Sequence, residues 1–352
     1  MPSLLWWGRS DNHYSRNHII LKLLARLGWR IDFYHPVSSP LGTVQAFLQR
    51  PKPPDLIWVP CFRQRDMSSA IFWSRRWACP LVFDPLISAY EKEVFEKEKW
   101  HETDKSAVRL KAWERRLFRQ ADVVIADTQL HAQFFIDSFQ LEPEKLSIIN
   151  VGADEQLFTP TEVDCSRSPL EVLFYGSFLA LQGPDVIIAA ARLTENRSIR
   201  WVLLGNGDLR PRLEAESKDL PNVVFEPWTP YERLSQRLSQ AQILLGIFGT
   251  TPKAGMVIPN KVFQSMAVGR PLITRQADAY PREIRNSKVI GWVPAGDAGR
   301  LASQVEKMAA EPDQLALRGR ETRELYERYL GADRIRRQLE DALNRALMHR
   351  AK

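Results

Sequence analysis

Short, continuously apolar runs alternate with helical or loop segments along the whole chain. In the first half these runs are residues 4–7, 31–34, 56–59, 81–84, 123–126 and 146–149. In the second half they are residues 172–175, 201–204, 223–225, 243–245 and 272–274. Strands of a parallel sheet have this pattern, because helices cover the sheet on both faces. We therefore predict an α/β chain with doubly wound parallel sheets.

The length of 352 residues fits two domains of ordinary size. Residues 159–169 form a polar segment between the two series of runs, and Pro160, Ser166 and Pro169 lie in it. Such segments commonly mark domain boundaries. We expect one domain over residues 1–160 and a second domain over residues 169–330.

The cysteines and the hydropathy of the sequence indicate the cellular compartment of the protein. Cys61, Cys79 and Cys165 are too few and too scattered for a disulfide framework or a zinc site, which favours a reducing compartment. The apolar runs are shorter than the roughly 20 residues of a spanning helix, and the first seven residues lack the basic start of an export signal. We expect a cytoplasmic protein.

The net charge is +7, and residues 1–90 carry 11 Lys and Arg against 5 Asp and Glu. An excess of positive charge favours anionic partners such as sugar nucleotides, lipid phosphates or nucleic acid. Residues 105–119 are basic and partly amphipathic, and residues 71–77 combine aromatic and basic side chains. Either stretch can lie on an anionic membrane, or it can cover a sheet and show its charges to water.

The loop at residues 8–17 follows the first predicted strand. Ligands of open α/β sheets bind at the carboxyl ends of the strands, so Gly8, His13 and Arg16 are candidates for contacts to a phosphate or a sugar. The alternative is an ordinary polar loop. Asp84 ends another predicted strand at the same edge. It is expected either to accept hydrogen bonds from sugar hydroxyls and support positive charge at an anomeric carbon, or to cap the following segment.

Residues 252–274 read as loop, helix, turn and strand. Asn260 is a suitable N-cap, and Gly269 followed by Pro271 is a stop signal. Lys261 then falls in the first turn, where the helix dipole disfavours a cation by roughly 0.3–1 kcal/mol. A bound anion reverses that sign, and Lys253 in the preceding loop can reach the same anion. The alternative is that both lysines are solvated surface charges.

Glycines follow two strands of the second half. Gly176 ends one apolar run, and Gly205 and Gly207 follow the next. Glycine-rich turns after strands are typical of nucleotide phosphate sites. However, a dinucleotide fingerprint requires glycine at the sixth position, where Arg210 stands, so a nicotinamide-dependent oxidoreductase is disfavoured.

Three segments carry a resemblance to a known family. They are PNKVFQSMAVGRPLI at residues 259–273, INVGAD at residues 149–154 with Phe158 and Pro160 after it, and GWVPAGD at residues 291–297. Together they resemble the family 4 glycosyltransferases, which have the two-domain GT-B fold and retain the anomeric configuration. The resemblance covers essentially the whole chain, although the glycine of the second segment is displaced by one position.

The resemblance implies two Rossmann-like domains that face each other across a cleft, with the last helix, in residues 331–352, packing back toward the first domain. It implies a nucleotide-diphosphate sugar of the UDP or GDP type as donor, with no further cofactor, and a saccharide or lipid-linked acceptor. Peripheral contact with the inner face of the membrane is expected, and no nucleic acid. No Asp-Xaa-Asp pair or His/Cys cluster suggests a metal.

Four charged residues of the family pattern are replaced in this chain. Ser177 and Gln182 stand where relatives have an arginine and a lysine, and Met256 and Gln264 stand where relatives have two glutamates. Either Lys253, Lys261 and Arg16 hold the phosphates instead, with backbone N–H groups near residues 255–258 on the sugar, or catalysis is lost. Residues 226–231 lie where relatives hold the base.

The expected site follows from these matches. The catalytic residues are predicted to be Asp84 and Lys261, and the donor-binding residues Gly8, Arg16, Gly176, Gly205, Gly207, Trp228, Lys253, Gly255, Val257, Ile258, Pro259, Asn260 and Gln264. The predicted function is metal-independent glycosyl transfer in the synthesis of cell-surface polysaccharide or glycoconjugate. The alternatives are a catalytically silent, sugar-nucleotide-binding or scaffold subunit of a polysaccharide assembly complex, and a nucleotide-sugar epimerase of the same fold.

Overall fold

The computed structural model describes residues 1–195 and 197–349. The chain divides into two compact units. The first contains Met1–Val151 and Asp333–Lys352, and the second contains Gly152–Ala332. The units therefore part at Val151, earlier than the polar segment at residues 159–169, which belongs to the second unit. The polar composition of residues 159–169, with its two prolines, indicates an irregular backbone. Here that backbone is part of the second unit and is not a linker between the units.

Each unit contains a six-stranded parallel sheet. In chain order the strands are β1 (Ser3–Trp7), β2 (Arg30–Tyr34), β3 (Leu56–Val59), β4 (Leu81–Phe83), β5 (Val123–Ala126), β6 (Leu146–Ile148), β7 (Leu170–Gly176), β8 (Ile199–Gly205), β9 (Val223–Glu226), β10 (Ile243–Leu245), β11 (Leu272–Arg275) and β12 (Gly291–Val293). The spatial orders are β2-β1-β3-β4-β5-β6 and β12-β11-β10-β7-β8-β9. The doubly wound parallel architecture that the apolar runs predict is confirmed. Edge strand β12 is an addition: it begins with Gly291 and is followed by Pro294, so it lacks the continuous apolar run of the other strands.

Most of the helices lie between successive strands, and the last three follow strand β12. They are α1 (Ser15–Arg26), α2 (Gly42–Gln49), α3 (Met67–Trp77), α4 (Ala89–Glu91), α5 (Lys105–Phe118), α6 (Gln129–Phe139), α7 (Pro184–Leu193), α8 (Arg210–Glu216), α9 (Tyr231–Leu238), α10 (Pro252–Met256), α11 (Asn260–Ala267), α12 (Arg282–Arg285), α13 (Ala298–Ala309), α14 (Pro312–Tyr329) and α15 (Ala332–His349). A π-helix at Lys92–Glu96 continues α4. Across the described ranges, none of these helices is both long and apolar enough to cross a membrane.

The core of the first unit lies on both faces of its sheet. Helices α2, α3, α5 and α6 cover one face, where Trp73, Phe118 and Phe135 are buried. Helices α1 and α15 cover the other face, and the apolar side of α15 packs there with Ile335 and Leu339 fully buried beside the strands. The last helix of the chain is thus part of the first unit, because it supplies one of the two layers that a parallel sheet needs.

The strand order of the second unit reverses between β7 and β10, and a crevice at such a switch point is the usual ligand site of an open α/β sheet. Gly176 at the end of β7 pairs with Gly205 at the end of β8. A Cβ on Gly205 would lie 2.1 Å from the Gly176 carbonyl oxygen, and a Cβ on Gly207 would lie 1.9 Å from that of Ser177. Both glycines have positive φ, so their first role is to let two backbones approach closely at this edge.

Candidate active site

Helix α11 brings Lys261 to the carboxyl edge of the second sheet. The helix begins at Asn260, with Pro259 in an extended conformation as its N-cap and no side-chain cap hydrogen bond at that position. The prediction that Asn260 caps the helix is therefore wrong by one position: extended Pro259 precedes the helix, and Asn260 is its first residue. Val262, Phe263 and Met266 are buried, as their spacing predicts. Packing of that face fixes the direction in which Lys261 leaves the first turn.

The ammonium group of Lys261 is buried against aromatic rings. Its Nζ lies 4.1 Å from the ring centroid of Phe174 and 5.8 Å from that of Tyr175, and 5% of the residue is exposed. Among the residues that the structure describes, Nζ has no hydrogen-bond partner. The prediction of a solvated surface lysine is thus excluded, and the charge stands without a counterion.

Gly176 and Gln182 lie close to this ammonium group. A Cβ on Gly176 would lie 3.0 Å from Lys261 Nζ and 2.7 Å from Gln182 Oε1. Gln182 Oε1 is also buried without a partner within the described ranges. A side chain larger than glycine would therefore crowd both groups, and the end of β7 brings a cation and an unpartnered amide oxygen close together.

Burial alone lowers the pKa of Lys261 well below its usual value of 10.5. An unpaired ammonium is costly in a low-dielectric interior, and the face of an aromatic ring offsets only part of that cost. An anion at this edge would supply the missing counterion. Contact between Lys261 and a donor phosphate stays a prediction.

Lys253 and Gly255 lie on α10, not in the open loop that we expected. Lys253 is 8% exposed, and Thr251 caps this short helix by accepting a hydrogen bond from the Ala254 N–H. A Cβ on Gly255 would lie 3.4 Å from Nη2 of Arg275, so this guanidinium borders the segment. The sequence analysis missed Arg275. Its position as the last residue of β11 was the available signal, since functional side chains of α/β folds follow the strand ends.

Val257, Ile258 and Pro259 form an extended link between α10 and α11. Ile258 is buried, whereas the other two are half-buried. Gln264 is 3% exposed, and its Oε1 accepts a hydrogen bond from the Tyr175 hydroxyl at 2.6 Å. One end of the Gln264 amide is thus already engaged, and its contact with the donor stays a prediction.

Trp228 follows β9 and is 59% exposed, which leaves its ring available for stacking. Arg210 lies beneath this turn. Its Nη1 donates hydrogen bonds to the carbonyl oxygens of Gly205 and Glu226, the latter at 2.8 Å, and so ties the ends of β8 and β9 together. This contact explains why an arginine stands at the sixth position of the glycine-rich turn.

The first unit places Arg16 and Asp84 in one buried ion pair. Arg16 lies in the first turn of α1, not in the preceding loop, and its Nε is 2.9 Å from Asp84 Oδ2. Its Nη1 donates to the carbonyl oxygens of Ile149 and Asn150 at 2.9 and 2.8 Å. Both residues are 1% exposed. The expectation that Arg16 meets a donor phosphate is therefore wrong, because its guanidinium is directed into the protein.

Asp84 likewise faces Arg16 and not an open surface. Burial raises the pKa of Asp84, while Arg16 and the N–H of Leu86 oppose the rise. Ser88, and not Asp84, caps the following helix α4: its hydroxyl accepts a hydrogen bond from the Glu91 N–H. Gly8, which follows β1, also packs against other residues of the first unit. A Cβ on Gly8 would lie 2.9 Å from Asp66 Oδ2, and the φ angle of Gly8 is +127°.

A second buried network in the first unit was not predicted. His131 on α6 is fully buried, with Nδ1 2.6 Å from Asp127 Oδ1 and Nε2 2.9 Å from Glu91 Oε2. Burial opposes the charge on the imidazole, but Glu91 and Asp127 outweigh it and raise the pKa of His131 to about 10. A histidine and two carboxylates at these sequence positions form no recognisable motif, so the triad becomes visible only in the fold.

The fold and the site together define a chain of two Rossmann-like units, of which the second has the buried Lys261 at the switch-point edge of its sheet. Two family models match the chain. "Glycosyl transferase 4-like domain" covers residues 20–152 and "Glycosyl transferases group 1" covers residues 169–311. The chain therefore belongs to the family 4 glycosyltransferases with the GT-B fold, as a divergent member.

Curated relatives match at moderate identity. A colanic acid biosynthesis glycosyltransferase described for Escherichia coli K12, WcaL, is 27% identical over 237 residues, which are 65% of this chain and 58% of the relative. The amylovoran biosynthesis glycosyltransferase AmsK of Erwinia amylovora is 27% identical over 195 residues, or 53% of this chain and 47% of the relative. The chain thus spans about half the length of the curated relatives that it matches.

Solved structures share the fold over the whole chain. HepE of Anabaena in complex with UDP superimposes with a TM-score of 0.72 at 15% identity, covering 98% of this chain and 100% of that one. Sucrose-phosphate synthase from Thermosynechococcus elongatus gives a TM-score of 0.73 at 16% identity and covers 98% of both chains. At these identities the likeness establishes the fold.

Proposed function

We propose that the protein is a retaining glycosyltransferase that moves a sugar from a nucleoside diphosphate donor to a saccharide or lipid-linked acceptor in polysaccharide synthesis. The observation that carries the proposal is the buried ammonium of Lys261 beside Gly176 and Gln182. Relatives named for colanic acid and amylovoran biosynthesis, and a structural neighbour that binds UDP, support the substrate class. The three free cysteines support the proposed cytoplasmic setting.

Lys261 takes the place of the phosphate-binding cations that this chain lacks at Ser177 and Gln182. Its side chain starts on α11 but ends at the β7 edge, where Gln182 lies. A diphosphate oxygen about 4 Å from the ammonium gains ~4 kcal/mol at an effective dielectric near 20. The positive end of the α11 dipole, in whose first turn Lys261 lies, adds to the attraction. Lys261 therefore both binds the donor and stabilises charge on the leaving phosphate.

The proposed reaction needs no nucleophile from the protein. The bond between the anomeric carbon and the donor phosphate oxygen breaks, and the acceptor hydroxyl oxygen forms its bond to that carbon on the same face. The hydroxyl proton passes to the departing phosphate oxygen. Charge grows on the diphosphate as the bond breaks, which is where the ammonium of Lys261 acts. Trp228, exposed at the end of β9, is proposed to stack on the base.

Calorimetric titration of UDP, GDP and ADP tests the donor site. We expect one nucleotide to bind best to the wild type and to bind about tenfold or more weakly to Lys261→Met, a loss of about 1.4 kcal/mol. Lys218→Met is the matched control, because Lys218 is exposed in the same unit. If none of the three nucleotides binds, or if both variants bind equally well, the donor site is contradicted.

A catalytically silent, sugar-nucleotide-binding subunit is the second candidate. The replaced charges favour it: Met256 and Gln264 stand at the two glutamate positions, and Gln264 Oε1 is occupied by Tyr175. Release of free sugar from the preferred donor, or transfer to a saccharide acceptor, separates the two candidates. Turnover that Lys261→Met abolishes supports the enzyme, whereas tight binding without turnover supports the silent subunit.

A further inference from the structure

A second cation, Arg275, lies at the carboxyl edge of the second sheet. It is the last residue of β11 and is half-buried. Its Nη1 donates a hydrogen bond to the Gly249 carbonyl oxygen at 2.6 Å, and its Nε donates one to the Gln276 carbonyl oxygen at 3.3 Å. Within residues 1–195 and 197–349, no carboxylate pairs with this guanidinium. Its charge is therefore not neutralised by the described protein.

The sequence near Arg275 is poor in acids. Residues 233–277 contain six Lys and Arg and no Asp or Glu. The next acid in the chain, Asp278, is paired with Arg285. Burial lowers the pKa of Arg275, and Tyr280 only partly opposes this shift. A ligand anion at the guanidinium would offset the cost of its desolvation.

The segment that contacts Arg275 adjoins the segment beside Lys261. Strand β10 lies between β7 and β11, so the ends of β7 and β11 are roughly 10 Å apart. Arg275 reaches back toward this gap, because its acceptor Gly249 lies in the loop after β10. A Cβ on Gly249 would lie 2.4 Å from the carbonyl oxygen of Leu181, the residue before Gln182. Lys261 and Arg275 therefore border the same stretch of this edge.

The other end of the Arg275 guanidinium faces α10. A Cβ on Gly255 would lie 3.4 Å from its Nη2, and in the described part of the chain this nitrogen donates to no protein acceptor. Met256, the next residue of α10, stands where the family resemblance places a glutamate. Methionine removes a carboxylate that would repel an anionic ligand. The surroundings of α10 therefore favour a negatively charged group.

We propose that the transferred sugar carries a carboxylate, as a uronic acid does, and that Arg275 binds this group while Lys261 binds the diphosphate. The inference rests on the proposed function and names the class of its donor sugar. Guanidinium groups form strong, directional hydrogen bonds to carboxylates. A pyranose uronic acid bears the phosphate at C1 and the carboxylate at C5, so one ring separates the two anions. Two cations at separate strand ends match such a ligand.

Arg275 then selects between sugars that differ at this one group. A neutral hexose has a hydroxymethyl group in place of the carboxylate, and it leaves the half-buried guanidinium without its anion. A site with a buried polar group rejects an analogue that cannot pair with it, because the unpaired group is costly. A glutamate at residue 256 would have the opposite effect, since it would repel the carboxylate of the sugar.

Calorimetric titration of the full chain with matched donors tests the inference. The pairs are UDP-glucuronate with UDP-glucose and GDP-mannuronate with GDP-mannose. We expect the wild type to bind the uronate of one pair about tenfold more tightly than the neutral sugar, because the carboxylate gains a hydrogen bond to a charged group. Arg282→Gln removes an exposed charge of the same unit and should keep this preference.

Two variants change the preference itself. Arg275→Gln should reduce it to less than about twofold, and should change the affinity for the bare nucleoside diphosphate by less than about twofold. Met256→Glu introduces a carboxylate on α10 and should weaken binding of the uronate about tenfold or more, with less effect on the neutral sugar. Retained affinity for the bare nucleotide shows that both variants are folded.

Two outcomes would overturn the inference. In the first, the neutral sugar binds as tightly as the uronate in both pairs. In the second, Arg275→Gln weakens binding of the bare nucleotide as much as binding of the uronate, which would place Arg275 on the diphosphate. The donor site at Lys261 survives either result. If neither UDP nor GDP binds, the donor site itself is contradicted, and this inference falls with it.

Discussion

The two units treat buried charge differently at the carboxyl edges of their sheets. In the first unit, Arg16 is paired with Asp84, and His131 lies between Glu91 and Asp127. In the second unit, Lys261 is equally buried but contacts aromatic rings, with no hydrogen-bond partner among the described residues. The two folds are alike, so the difference lies in the sites. Paired charge holds a structure together, whereas charge without a counterion indicates a place for a ligand.

The largest expected effect is on the paired charges of the first unit. Asp84→Ala leaves the Arg16 guanidinium buried without its carboxylate, which should lower the free energy of unfolding by about 3–5 kcal/mol. Urea denaturation followed by tryptophan fluorescence measures this change. Asp32→Ala is the control, because Asp32 is half-exposed in a surface pair with Arg30 and should cost less than about 1 kcal/mol. Equal losses for both variants would contradict a structural ion pair.

The triad of His131, Glu91 and Asp127 should make the free energy of unfolding depend on pH. The pKa of His131 is about 10 in the folded protein, against an ordinary value of 6.5. Because the folded protein holds the proton more tightly, the stabilisation is complete below about pH 6.5 and is lost as the pH rises toward 10. The advantage of the wild type over His131→Gln should therefore shrink across that window.

His35→Gln provides the matched control for the triad, because His35 is an exposed histidine of the same unit. Its difference from the wild type should stay close to zero at every pH. Melting temperatures recorded in a series of buffers measure both differences. A gap between the wild type and His131→Gln that is constant or grows with pH would show that the buried imidazole is neutral.

A smaller effect is expected at Trp228 in the second unit. Trp228→Ala removes an exposed ring, so stability should change by less than about 0.5 kcal/mol. If the ring stacks on the base, nucleotide affinity should fall by about 1 kcal/mol, or roughly fivefold. Phe33→Ala, an exposed ring of the first unit, should leave affinity unchanged. Unchanged affinity in Trp228→Ala would remove this residue from the donor site.

Much of the fold was predictable because its signals are local. The apolar runs mark eleven of the twelve strands, and the one missed, β12, begins with Gly291 and is followed by Pro294. The boundary between the units was placed too late, because residues 159–169 have a linker composition while they belong to the second unit. Composition can indicate an irregular backbone, but it does not indicate which unit that backbone packs against.

The site was predictable only in part. Lys261 was identified from its conflict with the helix dipole, which is a local feature. Its closeness to Gly176 and Gln182 depends on how α11 packs on the sheet, so the spacing of these residues in the sequence does not predict it. Arg16 was misjudged for the same reason: a basic residue after a strand looks like a ligand contact until its partner, 68 residues away, is known. Charge pairing is a tertiary property.

Thermal unfolding of Lys261→Met, with and without the nucleotide that the wild type binds best, tests the anion site most directly. Methionine keeps the length of the side chain and removes the buried charge. If the ammonium of Lys261 binds an anion, the variant should melt at a higher temperature than the wild type in the absence of nucleotide, because it lacks the unpaired buried charge. Nucleotide should then raise the melting temperature of the wild type but hardly that of the variant. A variant that melts below the wild type and gains as much from nucleotide would contradict the account, because Lys261 would then be a structural residue.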